Sequence, residues 1–172
     1  MALRKIVYMP DPVLRRKAHK ITDFGQDFQV LVDDMLETLR DVPGVGLAAP
    51  QIAVSQRLIV VEYGENEEED EAVVKKLYVV ANPEIIIPAT AEQIIGSEAC
   101  LSVPGLAGEV ERFTQITVKG QNRRGQALRL KLEGWTARIF QHEIDHLDGI
   151  MFVDRAVRVW KLKENEEALL AD

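Results

Sequence analysis

His142-Glu143-Ile144-Asp145-His146 sets two imidazoles four residues apart, with a carboxylate directly after the first. On a helix, residues four apart share a face, so both rings can reach one ion. Glu143 lies about 100° further round, given ~3.6 residues per turn. Its carboxylate then sits beside the ion, where it can act as a general base on activated water without ligating. His19 is the remaining histidine, alone in a basic segment, and reads as an ordinary surface or packing residue.

A catalytic site of this type usually has three protein ligands and one open position. The pattern His-Glu-x-x-His-x-x-Gly-x-x-His is followed through Gly149, but Phe152 stands where its last histidine belongs, and no histidine follows His146. A glutamate from a later helix would be Glu164, Glu166 or Glu167, at suitable distance but in a strongly charged tail. The single cysteine, Cys100, could supply a thiolate and cannot form an internal disulfide. A lone cysteine is more often a small buried hydrophobe, so its neighbours must decide.

The elements that position these residues follow from periodicity. Trp135, Ile139, Phe140, Ile144 and Leu147 predict a helix from Gly134, closed by Gly149. Asp11 and Pro12 open a short helix as N-cap and first residue. Phe28, Leu31, Val32, Met35, Leu36 and Leu39 mark one long amphipathic helix ending near Pro43-Gly44. Residues 58–61 and 77–81 read as strands, and the acidic run 65–71 between them as a solvated hairpin loop. Segments 84–88, 91–98, 107–113, 115–121 and 126–132 are short and β-rich, separated by Pro or Gly, as in antiparallel sheets with tight turns. The charged segment 161–170 reads as a short helix. With no repeat and no linker, residues 1–172 form one α+β domain, with a short C-terminal helix at about 160–170.

The 172 residues suffice for one buried core, and 47% hydrophobic with 28% charged residues is ordinary for a globular chain. A net charge of −7 argues against direct nucleic-acid binding, which needs a basic face. No apolar run approaches the ~18 residues of a membrane span, and the N-terminus lacks the signal-peptide pattern, so the expected address is the cytoplasm.

Glu98-Ala99-Cys100-Leu101-Ser102 resembles the Glu-Gly-Cys-Leu-Ser motif of peptide deformylases. Gly44-Val45-Gly46-Leu47-Ala48-Ala49-Pro50-Gln51 is similar to their Gly-x-Gly-x-Ala-Ala-x-Gln, and Gln141-His142-Glu143-Ile144-Asp145-His146 to their Gln-His-Glu-x-Asp-His. The order matches, and Pro10-Asp11-Pro12-Val13-Leu14-Arg15 extends the likeness over nearly the whole chain. The first motif also satisfies a dinucleotide-binding Gly-x-Gly-x-x-Ala, but that loop follows a strand, and here the long helix precedes it.

The resemblance implies antiparallel sheets packed around a central helix that carries the histidines. It implies that Cys100, His142 and His146 hold one divalent ion per chain: Fe(II) natively, with Zn, Ni or Co as substitutes. The implied reaction removes the N-formyl group from the formylmethionine of a nascent chain. Glu143 would be the acid/base, with the Gln51 amide and Leu101 N–H as oxyanion donors. Asp145 would pair with Arg112. Gly44, Val45, Gly46, Glu98, Ala99, Trp135 and Ile139 would meet the peptide. Two departures stand out: Ala99 replaces a glycine, and Arg138 stands where many relatives are apolar. Some bacterial relatives dock a C-terminal helix on the ribosome. Here Lys161 and Lys163 precede Glu164, Glu166 and Glu167, which suggests at most a transient contact.

Overall fold

The structure is a computed structural model that describes residues 2–64 and 74–163. The acidic run 65–71 and the glutamates of the tail lie outside the described residues.

Among the described residues, eight strands, all paired antiparallel, form two sheets. The five-stranded sheet has the order β1 (Gly46–Ala48), β2 (Leu58–Tyr63), β3 (Lys76–Ile86), β6 (Gln115–Gln121), β7 (Ala127–Glu133). The three-stranded sheet has the order β4 (Gln93–Ala99), β5 (Leu106–Phe113), β8 (Arg158–Lys161). The described α-helices of this α+β fold are α1 (Gln26–Asp41), α2 (Gly134–Leu147) and α3 (Phe152–Arg155).

Strand β2 shows why the core sits where it does. Successive side chains point to opposite faces, so Leu58 and Val60 meet α1, while Ile59 and Val61 belong to the cluster around α2. Both faces are covered, and Leu58-Ile59-Val60-Val61 is therefore apolar throughout and fully buried. On α1, Phe28, Leu31, Val32, Met35 and Leu39 form the buried stripe. Each such side chain contributes roughly 1.5–3 kcal/mol on burial. Helix α2 contacts all strands of the larger sheet and also β5, so it lies between the two sheets.

The segments 77–81 and 84–88 expected as separate strands form one strand, β3. The pattern breaks at Pro83 because the register shifts between Ala81 and Glu84, where Asn82 adopts φ 51°. Asn tolerates that left-handed conformation, and its amide is anchored to Ile21 O and to Gln121. The expected C-terminal helix is corrected in part. Residues 158–161 are strand β8, which pairs with β5 in the register Ala107↔Trp160; residues 164–172 lie outside the described part.

Candidate active site

Helix α2 begins at Gly134 and ends at Leu147, and Gly149 at φ +73° turns the chain away. A side chain at 149 would meet Arg15 O at 2.6 Å, so both the turn and the close approach require glycine. The helix places His142 and His146 side by side, with ring centroids 5.0 Å apart. Strand β4 ends at Ala99 and delivers Cys100, whose carbonyl closes a turn by accepting from Val103 N–H. Cys100 Sγ lies 3.4 Å from His146 Nε2. One ligand atom from each of Cys100, His142 and His146 lies within 4.8 Å of the others. A thiolate and two imidazoles at such separations fit a tetrahedral or related divalent-metal site.

The charges around this trio favour a cation. His142 Nδ1 faces Glu98 Oε2 at 2.9 Å, which fixes the ring and leaves Nε2 for the cleft. Burial works against a proton on His142, yet hydrogen bonds to Cys100 and Glu98 raise its proton affinity well above the ordinary value. The same two groups would attract a metal ion. His146, fully enclosed, is driven the other way by burial and by His142 and Arg112, so it stays neutral and able to ligate. Its Nδ1 has no hydrogen-bond partner among the described residues.

Glu143 is 5% exposed, and its Oε2 also lacks a partner among the described residues. Burial, with a smaller push from Glu98, raises its carboxyl to about 7 despite His142 and Arg112. A buried carboxylate with an unsatisfied oxygen facing a cleft is poised to exchange a proton near neutrality. Gly46 on β1 makes room for it: a Cβ there would lie 2.5 Å from Glu143 Oε1. Gln51, 1% exposed, is the third residue of a short 3-10 helix, Ala49–Ile52. Its Oε1 accepts from Ala48 N–H at 2.8 Å, which turns the NH2 toward Cys100 Sγ at 3.6 Å.

Beneath the site lies a buried ionic network. Arg112 holds Glu98 through two hydrogen bonds of 2.9 and 3.0 Å and donates to Asp145 at 2.6 Å. Burial alone would raise the Glu98 carboxyl, but bonds from His142 and Arg112 hold it well below the usual carboxylate range. The expected Asp145–Arg112 pair is thus present, and Arg155 adds a bidentate grip on the same aspartate. Sequence reasoning missed Arg155, and it missed that Gln141 exchanges hydrogen bonds with both backbone groups of Phe113. Phe152, in the place of a third histidine, stacks on the His142 ring at 6.2 Å and 21°. His19 is exposed and joins Gln56 in an isolated bridge, away from the trio.

A cleft of about 330 Å³ opens over these groups. It is lined by Gly44, Val45, Gly46, Glu98, Ala99 and Leu101, with Trp135 and Ile139 from α2. All the residues singled out in the sequence for the peptide therefore border one space.

Comparison with known proteins agrees with this geometry. The family model described as polypeptide deformylase matches residues 3–161. A peptide deformylase of Halothermothrix orenii is 47% identical over 92% of this chain and 97% of its own. The crystal structure of the Thermotoga maritima peptide deformylase superposes with a TM-score of 0.78 at 39% identity, covering 92% of this chain and all of that one. A class I type b peptide deformylase from Acinetobacter baumannii, solved with Met-Ala-Ser bound, gives 0.80 at 33% identity over 90% of this chain and 98% of that one.

Proposed function

The chain belongs to the polypeptide deformylase family, and on that premise we propose the residues that perform its reaction. The reaction is hydrolysis of the N-formyl group from the N-terminal formylmethionine of a nascent polypeptide, releasing formate. Cys100, His142 and His146 hold one divalent metal ion, Fe(II) natively, with Zn, Ni or Co able to replace it. The supporting observation is the approach of these three donors, from segments far apart in the chain, to within 4.8 Å.

A divalent ion in that position supplies Lewis acidity, which makes water nucleophilic near neutral pH. Glu143 takes the proton of the attacking water and later delivers it to the departing amine. Its enclosed, high-affinity carboxylate suits both transfers. As negative charge grows on the formyl oxygen, the Gln51 amide and the Leu101 N–H donate to it; losing one such donor costs about 10²–10³ in rate. Glu98 orients His142, and Arg112 with Asp145 seats α2 against the sheets.

β4 is an edge strand of its sheet. An extended peptide can add to its free side, with Gly44, Val45 and Gly46 opposite and Glu98 and Ala99 as the strand it pairs with. The methionine side chain enters between Val45, Trp135 and Ile139. The chain works as one domain, in the cytoplasm, on N-formylmethionyl chains leaving the ribosome. Contact with that particle is transient and does not involve direct nucleic-acid binding. No described helix is long and apolar enough to cross a membrane.

The test is formate release from a formyl-Met-Ala-Ser peptide by anaerobically prepared, metal-loaded protein. Turnover is expected, with loss in Glu143→Ala at unchanged metal content. Cys100→Ser should lose metal on dialysis. Absence of turnover by the loaded wild type would sink the reading.

A further inference from the structure

Arg138 is a cation inside the protein, 5% exposed, on the helix that bears the histidines. A buried charge must be paired and hydrogen-bonded, and the pairing here is uneven. Its Nη1 donates to Glu98 Oε1 at 2.9 Å and to Val110 O at 2.8 Å, with Gly96 O at 3.5 Å; its Nη2 donates to Ile94 O at 2.7 Å. Glu98 already receives two bonds from Arg112 and does not depend on Arg138 for a counter-ion. The contacts peculiar to Arg138 are those with the backbone of β4 and β5.

Gly96 answers this side chain from the strand. A Cβ at 96 would lie 2.8 Å from Arg138 Cζ, so β4 omits a side chain where the guanidinium rests. Gly96 pairs with Val110, and the guanidinium therefore lies over the β4–β5 ladder. Trp135, one turn earlier on α2, places its ring 5.7 Å from Cζ at the cleft. Beyond Gly96, β4 runs through Ser97, Glu98 and Ala99, which line the cleft, and then reaches Cys100.

We propose that Arg138 is a positioning residue for the peptide-binding strand: it clamps β4 to α2, so that the free side of Ser97–Ala99 is fixed before the peptide arrives. A strand already held in place spares the peptide the ordering cost on binding. The effect grows with the length of peptide that pairs. This rests on the deformylase reading and extends it to how chain length beyond methionine is recognised.

Wild type, Arg138→Met, Arg138→Lys and Gly96→Ala are compared on formyl-Met amide and on formyl-Met-Ala-Ser, with bound metal and melting temperature measured on the same samples. Arg138→Met is expected to lose about tenfold in kcat/KM on the tripeptide, mainly through KM, as for one or two lost backbone hydrogen bonds. The loss on the single-residue substrate is several-fold smaller, and metal per chain is retained. Arg138→Lys recovers part of the loss. Gly96→Ala produces the same split and adds nothing to Arg138→Met. Equal losses on both substrates, or metal lost in step with activity, would overturn the proposal in favour of an effect through Glu98 on His142. A lowered melting temperature with unchanged KM would reduce Arg138 to filler. Should Arg138→Met not fold, a split in neither Arg138→Lys nor Gly96→Ala overturns it as well. If the loaded wild type turns over neither substrate, the deformylase reading itself fails, and this proposal with it.

Discussion

α1 meets the larger sheet with Phe28, Leu31, Val32, Met35 and Leu39, whereas α2 carries Arg138, Gln141, Glu143, Asp145 and His146 into the interior beside Phe140 and Leu147. The charged residue that α1 buries, Asp34, is bonded to the N-terminal segment through Ala2 N–H and Arg4. The first helix is held by area, which is non-directional and tolerant of shape. The second is held by directed bonds among ions that are costly to bury and ruinous to leave single. Stability and chemistry are thus separated: one face supplies the free energy, and the other uses part of it to keep Glu143 dry and unpaired.

The largest effect that sharpens this contrast is at Glu143. Glu143→Gln is expected to lower formate release by about 10²–10⁴-fold, the range for a removed general acid–base. Its melting temperature should not fall, since the carboxylate has an unsatisfied oxygen; a clear drop would mean the residue serves the fold. Arg112→Met comes next. It leaves Glu98 and Asp145 short of a partner and should cost about 3–5 kcal/mol in urea unfolding. The sign with pH follows from Glu98, whose folded value is depressed despite burial. Its stabilisation is complete above the ordinary carboxylate value and is lost as pH falls below it. Arg112→Met should therefore move acid unfolding to higher pH.

Met35→Ala breaks the comparison from the other side. A fully buried methionine lost from α1 should cost about 2–5 kcal/mol, while kcat per folded molecule stays at the wild-type value. A matching fall in kcat would show that the two faces are coupled. The smallest effect is expected at the exposed Arg40–Glu62 pair, 2.7 Å apart. Arg40→Gln should change stability by less than about 1 kcal/mol, within reach of a chemical melt.

The same division governs what could be read from the chain. α1 was legible from its spacing because area alone holds it. The histidine pair and Glu143 were legible because helix geometry fixes their relation locally. Cys100 was not, since nothing in its spacing aims it at α2; only the surrounding motif did. Arg155 and the hold of Arg138 on Gly96 depend on two sheets meeting across one helix, which no local spacing shows. The break at Asn82 looked like a strand end because Pro83 follows, although the strand continues through a bulge. β8 was not legible as a strand, because its four residues, Arg158 to Lys161, show no period of two and its partner β5 lies far away in the chain.

Phe152 stacked on His142 has a consequence for assembly. Because an aromatic ring fills the place where a local third ligand would stand, the helix cannot finish a cation cage from its own neighbourhood. With Cys100 as the proposed third ligand, the sulfur would come from the segment after β4, so tight capture of an ion would have to wait until the smaller sheet has docked on the helix. Metal loading then reports completed tertiary structure, and an excised stretch spanning only the two imidazoles should bind a divalent ion far more weakly than the whole chain.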